Sequence, residues 1–282
     1  MKNVNHVLLT LYHVANNLRT AVAGLLLLVT LTACSSAVIR LNQQAQSYGF
    51  AAVTSNADGF VIQSFHHPAA DSAQPLHVYL EGDGSPWENG WVPAAEPTTR
   101  ASVMLPLMAM DPAPSLNLGR PCYNGHAGDA GCSAELWTDG RYGEQIVAAM
   151  AKVLKDFSAE RNYRKLVLIG HSGGGTLALL LAERLPQTVA VVTLAGNVDI
   201  DLWADYHGYP RLSRSLNPAS RPTTGIREWH LLGNRDREIP PQLFQDSLQR
   251  RPHSSVEIID ADHSQGWQAV WPNLLRRVAQ PH

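Results

Sequence analysis

The run Leu166-Val167-Leu168-Ile169 leads directly into Gly170-His171-Ser172-Gly173-Gly174, and Thr176 to Arg184 then continues as an apolar segment of helical character. A β-rich run that turns through flanking glycines into a helix brings that helix close over the strand, where larger side chains would collide. The local unit is therefore strand, tight turn, helix. Leu76 to Leu80, Lys165 to Ile169, Val189 to Ala195, Arg227 to Leu232 and Val256 to Ile259 are the chain's short β-rich runs, each followed by Gly, Asn or Asp. Ile146, Val147, Met150, Val153, Leu154 and Phe157 recur at helical spacing, as do Trp267, Val270, Trp271, Leu274, Leu275 and Val278. Such alternation predicts an α/β fold with a mostly parallel sheet covered by helices on both faces, and function in the loops at the carboxyl ends of the strands. With 45% hydrophobic and 16% charged residues over 282, one globular domain accounts for the chain. Its net charge of -2 supplies no basic field to hold nucleic acid, so no nucleic-acid partner is expected.

The N-terminus reads as an address. Lys2 and Arg19 precede the apolar run Ala21 to Thr32, no acidic residue occurs before Cys34, and the run is short of the roughly 20 residues that span a bilayer. Leu31-Thr32-Ala33-Cys34 resembles the lipobox of bacterial lipoproteins. That resemblance implies a signal peptide over 1–33, cleavage before Cys34, acylation of Cys34, a tether over 34–49 and a folded domain over 50–282. Acyl chains hold a soluble domain on a membrane at about 0.8 kcal/mol per buried CH2. Ser35 stands where an inner-membrane retention signal has Asp, which favours the outer membrane, facing the periplasm.

Loss of 1–33 leaves Cys122 and Cys132, ten residues apart in a Gly- and Ala-rich segment. In an oxidising compartment this pair can close a disulfide. Two free buried thiols are the other reading. A zinc site has only His126 between them as a further ligand, too few for closure, so no metal is expected.

The pattern Gly170-x-Ser172-x-Gly174 at a strand end resembles the nucleophile turn of the α/β-hydrolase superfamily, and the resemblance covers about residues 50 to 280. It implies an α/β-hydrolase fold and a Ser, Asp, His order of catalytic residues along the chain. Leu231-Leu232-Gly233-Asn234-Arg235-Asp236, followed by Ile239-Pro240, resembles the superfamily's acid turn, which makes Asp236 the acid. Asp262-His263-Ser264 resembles the loop ahead of the last helix that carries the base, which makes His263 the base. These residue types suit one another because a serine hydroxyl attacks only when an imidazole takes its proton, and the imidazole needs a buried carboxylate to orient it. Asp199 and Asp201, after the preceding strand, are the alternative acids; His230, inside an apolar run, and His253, ahead of one, compete less well as base. His171 reads as a pocket wall.

The superfamily's oxyanion site takes one backbone N–H from the residue after the serine and one from the loop after an early strand. By position these are Gly173 and Asp83, the latter in Glu81-Gly82-Asp83-Gly84-Ser85, where many relatives have His-Gly. An acidic side chain there opposes a developing oxyanion, so Asp83 should turn away or be paired. The implied activity is hydrolysis of a carboxylic ester, small or lipidic, through an acyl-enzyme and without a cofactor. A serine peptidase or amidase is the nearer alternative, and a non-catalytic membrane-anchored binding lipoprotein of the same fold the more distant one. Residues 197–224, polar, aromatic and without a period, form a possible lid. Arg120-Pro121-Cys122-Tyr123, Trp137-Thr138 and Arg141-Tyr142 resemble features of a bacterial branch of the superfamily and carry no assigned role.

Overall fold

The computed structural model describes residues 36–68 and 74–280. The signal peptide and Cys34 lie outside the described residues. Along the chain come α1 (Ala37–Ser47), β1 (Ala51–Ala57), β2 (Phe60–His67), β3 (Leu76–Leu80), β4 (Trp87–Glu88), β5 (Val92–Pro93), α2 (Met104–Met108) and β6 (Ser115–Asn117). The second half adds α3 (Glu144–Glu160), β7 (Leu166–His171), α4 (Gly173–Ala182), β8 (Thr188–Leu194), α5 (Ile200–His207), β9 (Arg227–Gly233), α6 (Pro241–Gln249), β10 (Ser254–Ile259) and α7 (Trp267–Val278).

Eight strands form one sheet in the order β1-β2-β6-β3-β7-β8-β9-β10, and β4 pairs only with β5. From β6 to β10 all neighbours are parallel; β1 and β2 are antiparallel additions at one edge. After β3 the chain goes to β6 on one side, then returns to β7 on the other, so the strand order reverses between β3 and β7. A parallel sheet opens a crevice at such a switch point, beyond its carboxyl ends. The loops after β3 and β7, which carry Asp83 and Ser172, lie on the two sides of it.

All five strands and three helices expected from the sequence form; Leu76–Leu80 and Trp267–Val278 keep their expected bounds, and the other ends move by at most three residues. Every residue of α4 is buried, which explains why its sequence is apolar all round. In α7 the buried face is Trp267, Trp271, Leu274 and Leu275. Trp271 packs edge-on against Tyr79 of β3 and donates its ring N–H to Leu107 O at 2.9 Å. Burying each large apolar side chain contributes about 1.5–3 kcal/mol, and the indole partner removes the cost of burying its N–H.

Residues 34–49, expected to be a tether, contain α1. Ser36 caps it by accepting the Ile39 N–H, and Leu41 and Ala45 are buried against the core. Residues 197–224 hold α5, whose Ile200 and Ala204 are buried, and a short turn at Pro218–Ser220.

Candidate active site

Ser172 sits between β7 and α4 with φ 52° and ψ −122°, a conformation that costs an L-residue about 1–3 kcal/mol and must be held by its surroundings. The holding bonds are Ser172 N–H to Leu194 O at 3.0 Å, and Gly175 N–H and Asn197 N–H to Ser172 O at 2.9 and 3.0 Å. Close packing accounts for the glycines: a Cβ on Gly174 would lie 2.1 Å from Leu80 O, and one on Gly173 would lie 2.0 Å from Asp83 Oδ1. The Ser172 hydroxyl caps nothing and makes no hydrogen bond among the described residues. It is thereby free for another partner.

Asp236 follows β9 and His263 follows β10, adjacent parallel strands whose ends bring the two loops together. His263 Nδ1 lies 2.9 Å from Asp236 Oδ2 and 3.2 Å from Oδ1. The Asp236 side chain is fully buried, and Oδ1 also accepts the Glu238 and Ile239 N–H groups at 2.8 and 2.9 Å. Burial pulls this carboxyl up, but the His263 bond and charge and the two backbone donors outweigh it and leave it below its ordinary value. An ionised carboxylate only accepts, so His263 Nδ1 carries a proton, and in the neutral imidazole Nε2 then keeps its lone pair. That nitrogen can take a proton from a neighbouring hydroxyl.

The structure joins Asp236 to His263 directly, and joins Ser172 to that pair through its neighbour. His171 Nε2–H donates to the His263 carbonyl at 2.6 Å, the two rings lie 4.9 Å apart, and Trp267 Nε1–H reaches the same carbonyl at 3.2 Å. Burial, then the charge of His263, lowers the His171 pKa to about 4, so this ring is a neutral donor at neutral pH. The sequence reading of His171 as a wall understates it: it ties the base loop to the serine turn. His230 is a core histidine, hydrogen-bonded to Thr193 Oγ1 and Glu228 Oε2 at 2.8 and 3.0 Å. Asp199 caps α5, and with Asp201 it is bound by the Asn217 amide, so neither approaches the imidazole by hydrogen bond.

Neither the Asp83 nor the Gly173 N–H has a hydrogen-bond partner among the described residues. Gly173 is the first residue of α4, where backbone N–H groups and the helix dipole favour negative charge. The Asp83 side chain is paired, as its position demands. Arg120 Nη1 meets Oδ1 at 2.9 Å, and Arg141 Nη1 and Tyr142 OH meet Oδ2 at 3.0 and 2.5 Å. Burial alone would raise this carboxyl; the two guanidiniums and the tyrosine hold it below its ordinary value. These partners lie 37 to 59 residues downstream, and nothing in their own spacing identifies them from sequence.

A cleft of about 370 Å³ lies between residues 102–107 and 264–268, beside the His263 loop. Another of about 530 Å³ follows the Asp83 loop, lined by residues 84–90 and Arg100. Trp87 borders the larger cleft, whereas Trp137 is core. Cys122 and Cys132 are bonded, with 5.5 Å between their Cα atoms.

Residues 113–214 match the family described as alpha/beta hydrolase fold. Solved structures similar to this chain include an esterase of Pyrococcus furiosus, at 12% identity and TM-score 0.61, over 83% of this chain and 91% of that one. They also include a bacterial membrane phospholipase A described as a virulence factor, at 17% identity and TM-score 0.51, over 98% and 99%. No curated sequence matches this chain. Strand order, the serine turn and these matches together define the class: the chain has an alpha/beta-hydrolase fold with a mostly parallel central sheet flanked by helices.

Proposed function

We propose that this protein is a serine hydrolase that cleaves carboxylic esters through an acyl-enzyme. The carrying observation is the buried Asp236 bonded to His263 Nδ1, in a loop tied to the serine turn, with an unengaged hydroxyl on Ser172. In the first half-reaction His263 Nε2 takes the Ser172 proton as Oγ attacks the ester carbon. The carbonyl oxygen gains negative charge, which the Asp83 and Gly173 N–H groups stabilise. The proton passes from His263 to the departing alcohol, leaving the acyl group on Ser172. Water, activated by the same imidazole, then releases the acid. Asp236 orients the ring and stabilises its cation throughout.

An ester substrate, small or lipidic, is in keeping with a fold shared with an esterase and with a membrane phospholipase A. We further propose that the chain is exported and anchored through Cys34 in the bacterial outer membrane, facing the periplasm. The apolar run before Leu31-Thr32-Ala33-Cys34 supports this, and the Cys122–Cys132 disulfide suits an oxidising compartment. Mass spectrometry of the processed N-terminus tests it: an acylated Cys34 is expected, and an unmodified start elsewhere refutes it.

For the activity, a fluorophosphonate probe should label Ser172, and p-nitrophenyl esters should be cleaved faster than matched amides. Ser172→Ala should abolish labelling and lower kcat by about 10⁶. Labelling that survives this substitution overturns the assignment, and faster amide cleavage would make the enzyme an amidase.

A further inference from the structure

The loop Glu81-Gly82-Asp83 is held at both of its carboxylates and at the Glu81 and Asp83 carbonyl oxygens, by residues that the mechanism above does not use. Arg120 spans it: Nη1 binds the Asp83 carboxylate and Nη2 donates to Glu81 O at 2.8 Å. Tyr123 OH donates to Asp83 O at 3.0 Å. The peptide units on either side of the one that carries the Asp83 N–H are thus each held at their carbonyl oxygen. Arg141 closes the far side and is itself fixed by its Nε–H to Thr138 O at 2.6 Å. Both arginine side chains are about 95% buried. The Glu81 carboxyl lies apart from this clamp, held by Ser102 Oγ and the Met104 N–H.

Position matters as much as rigidity. The Asp83 carboxylate and Tyr142 hydroxyl pack against Gly173, at the start of α4, closely enough that a Cβ there would lie 2.0 and 2.3 Å from them. A bare carboxylate at that place would oppose charge developing on a substrate oxygen between the two N–H groups. Two guanidiniums reverse the local sign, and burial removes the water that would otherwise screen them.

Resting on the hydrolase reading, we propose that Arg120 and Arg141 are positioning residues of the oxyanion site. They clamp the Asp83 carboxylate so that its own backbone N–H stands beside that of Gly173, and they turn a locally negative site positive. Neither touches the substrate. Their contribution belongs to the transition state, so it should appear in kcat and not in KM.

The test is steady-state kinetics on p-nitrophenyl esters with full-length wild type, Arg120→Met, Arg141→Met, Arg141→Lys and Tyr142→Phe, each with a melting curve. A peptidyl or alkyl trifluoromethyl ketone serves as tetrahedral analogue. Each methionine variant should lose about 10²-fold in kcat with KM changed less than threefold, the loss typical of removing one oxyanion donor. Its inhibition constant for the ketone should rise by a similar factor. Arg141→Lys, which keeps the charge, should recover most of the loss. If the methionine variants fail to fold, Tyr142→Phe, which removes one bond to Asp83, should still lower kcat about fivefold at unchanged KM. Folded variants with kcat within twofold of wild type, or losses confined to KM, overturn the proposal. A wild type that neither labels nor hydrolyses overturns the hydrolase reading itself, and this proposal with it.

Discussion

Asp83 and Asp236 are the same residue type at the carboxyl edge of one sheet, Asp83 with its side chain partly buried and Asp236 with its side chain fully buried, and both are held below their ordinary carboxyl value. Their partners differ. Asp83 faces two guanidiniums and a phenol, and burial together with the Asp83 charge pushes that phenol well above its usual range. Asp236 faces an imidazole and two backbone N–H groups. None of Asp83's partners changes charge between mildly acid and mildly alkaline pH, whereas in the proposed mechanism the imidazole gains and loses a proton in each turnover. One aspartate belongs to a fixed field; the other belongs to a cycle. The same acid thus serves opposite ends because its neighbours, and not its own chemistry, decide whether it stays constant.

The largest effect should come from the cycling side. Asp236→Asn leaves the shape intact but presents an amide, whose NH2 favours a proton on His263 Nε2 and so removes the acceptor that Ser172 needs. A fall of about 10⁴ in kcat is expected, read on the ester assay. A variant that kept a tenth of wild-type activity would show that Asp236 only caps its turn, and the contrast with Asp83 would lose its meaning.

Acid should separate the two regions next. His171, held neutral with a pKa of about 4, cannot follow its unfolded counterpart, which takes up a proton near 6.5. The unfolded state then binds more protons, so stability is full above about pH 6.5 and falls as pH drops toward 4. The shift corresponds to about 3 kcal/mol for this buried ring. His66, also lowered to about 4 by burial and then by Arg161, adds to the total. Asp236, being depressed, holds its stabilisation above the ordinary carboxyl range and loses it only at lower pH. Urea midpoints at pH 7.5 and 4.5 measure the sum. His171→Gln, which keeps an N–H donor without a titrating ring, should flatten the curve by the His171 share. An unchanged slope would show that this ring is not the one that resists protonation.

What the sequence discloses follows the same division. The serine turn, the acid turn and the base loop each lie within a few consecutive residues beside a strand end, so local spacing carries them. The strands β3, β7, β8 and β9 are apolar because the sheet is largely buried on both faces there, and their runs stand out, while β10, at the far edge with no fully buried residue, shows only the short run Val256 to Ile259. By contrast β1 is an edge strand with Thr54, Ser55 and Asn56 on a half-exposed surface, which gives no apolar run. Its hairpin is announced only by Asp58-Gly59, both with positive φ (51° and 86°), the signature of a tight two-residue turn. β6 has three residues, too few to show a period. Helix α1 stayed hidden because Leu41 and Ala45 are its only buried residues. The Asp83 clamp is the deeper case. Need for a partner follows from placing a carboxylate near an oxyanion, but which cations supply it depends on how the segments around residues 120 and 141 fold back over β3. That is a tertiary fact, invisible in local pattern.

The Cys122–Cys132 bond belongs to the fixed side, since it closes the turn between Arg120 and the segment leading to Arg141. Cys122 is fully buried and has φ 66°, and Tyr123 beside it donates to Asp83 O. Closing a loop this short restricts the unfolded chain by about 2.5 kcal/mol, so Cys122→Ser/Cys132→Ser should melt earlier by roughly 5–10 °C, as suits a domain of this size. Its kinetic signature distinguishes the two regions. If the bond supports only the Asp83 clamp, the double variant should lose a few-fold in kcat while the pH at half-maximal activity stays where it is in wild type. A displaced pH profile would mean that the disulfide reaches the His263 loop as well, and that the fixed and cycling parts of the site are mechanically one unit.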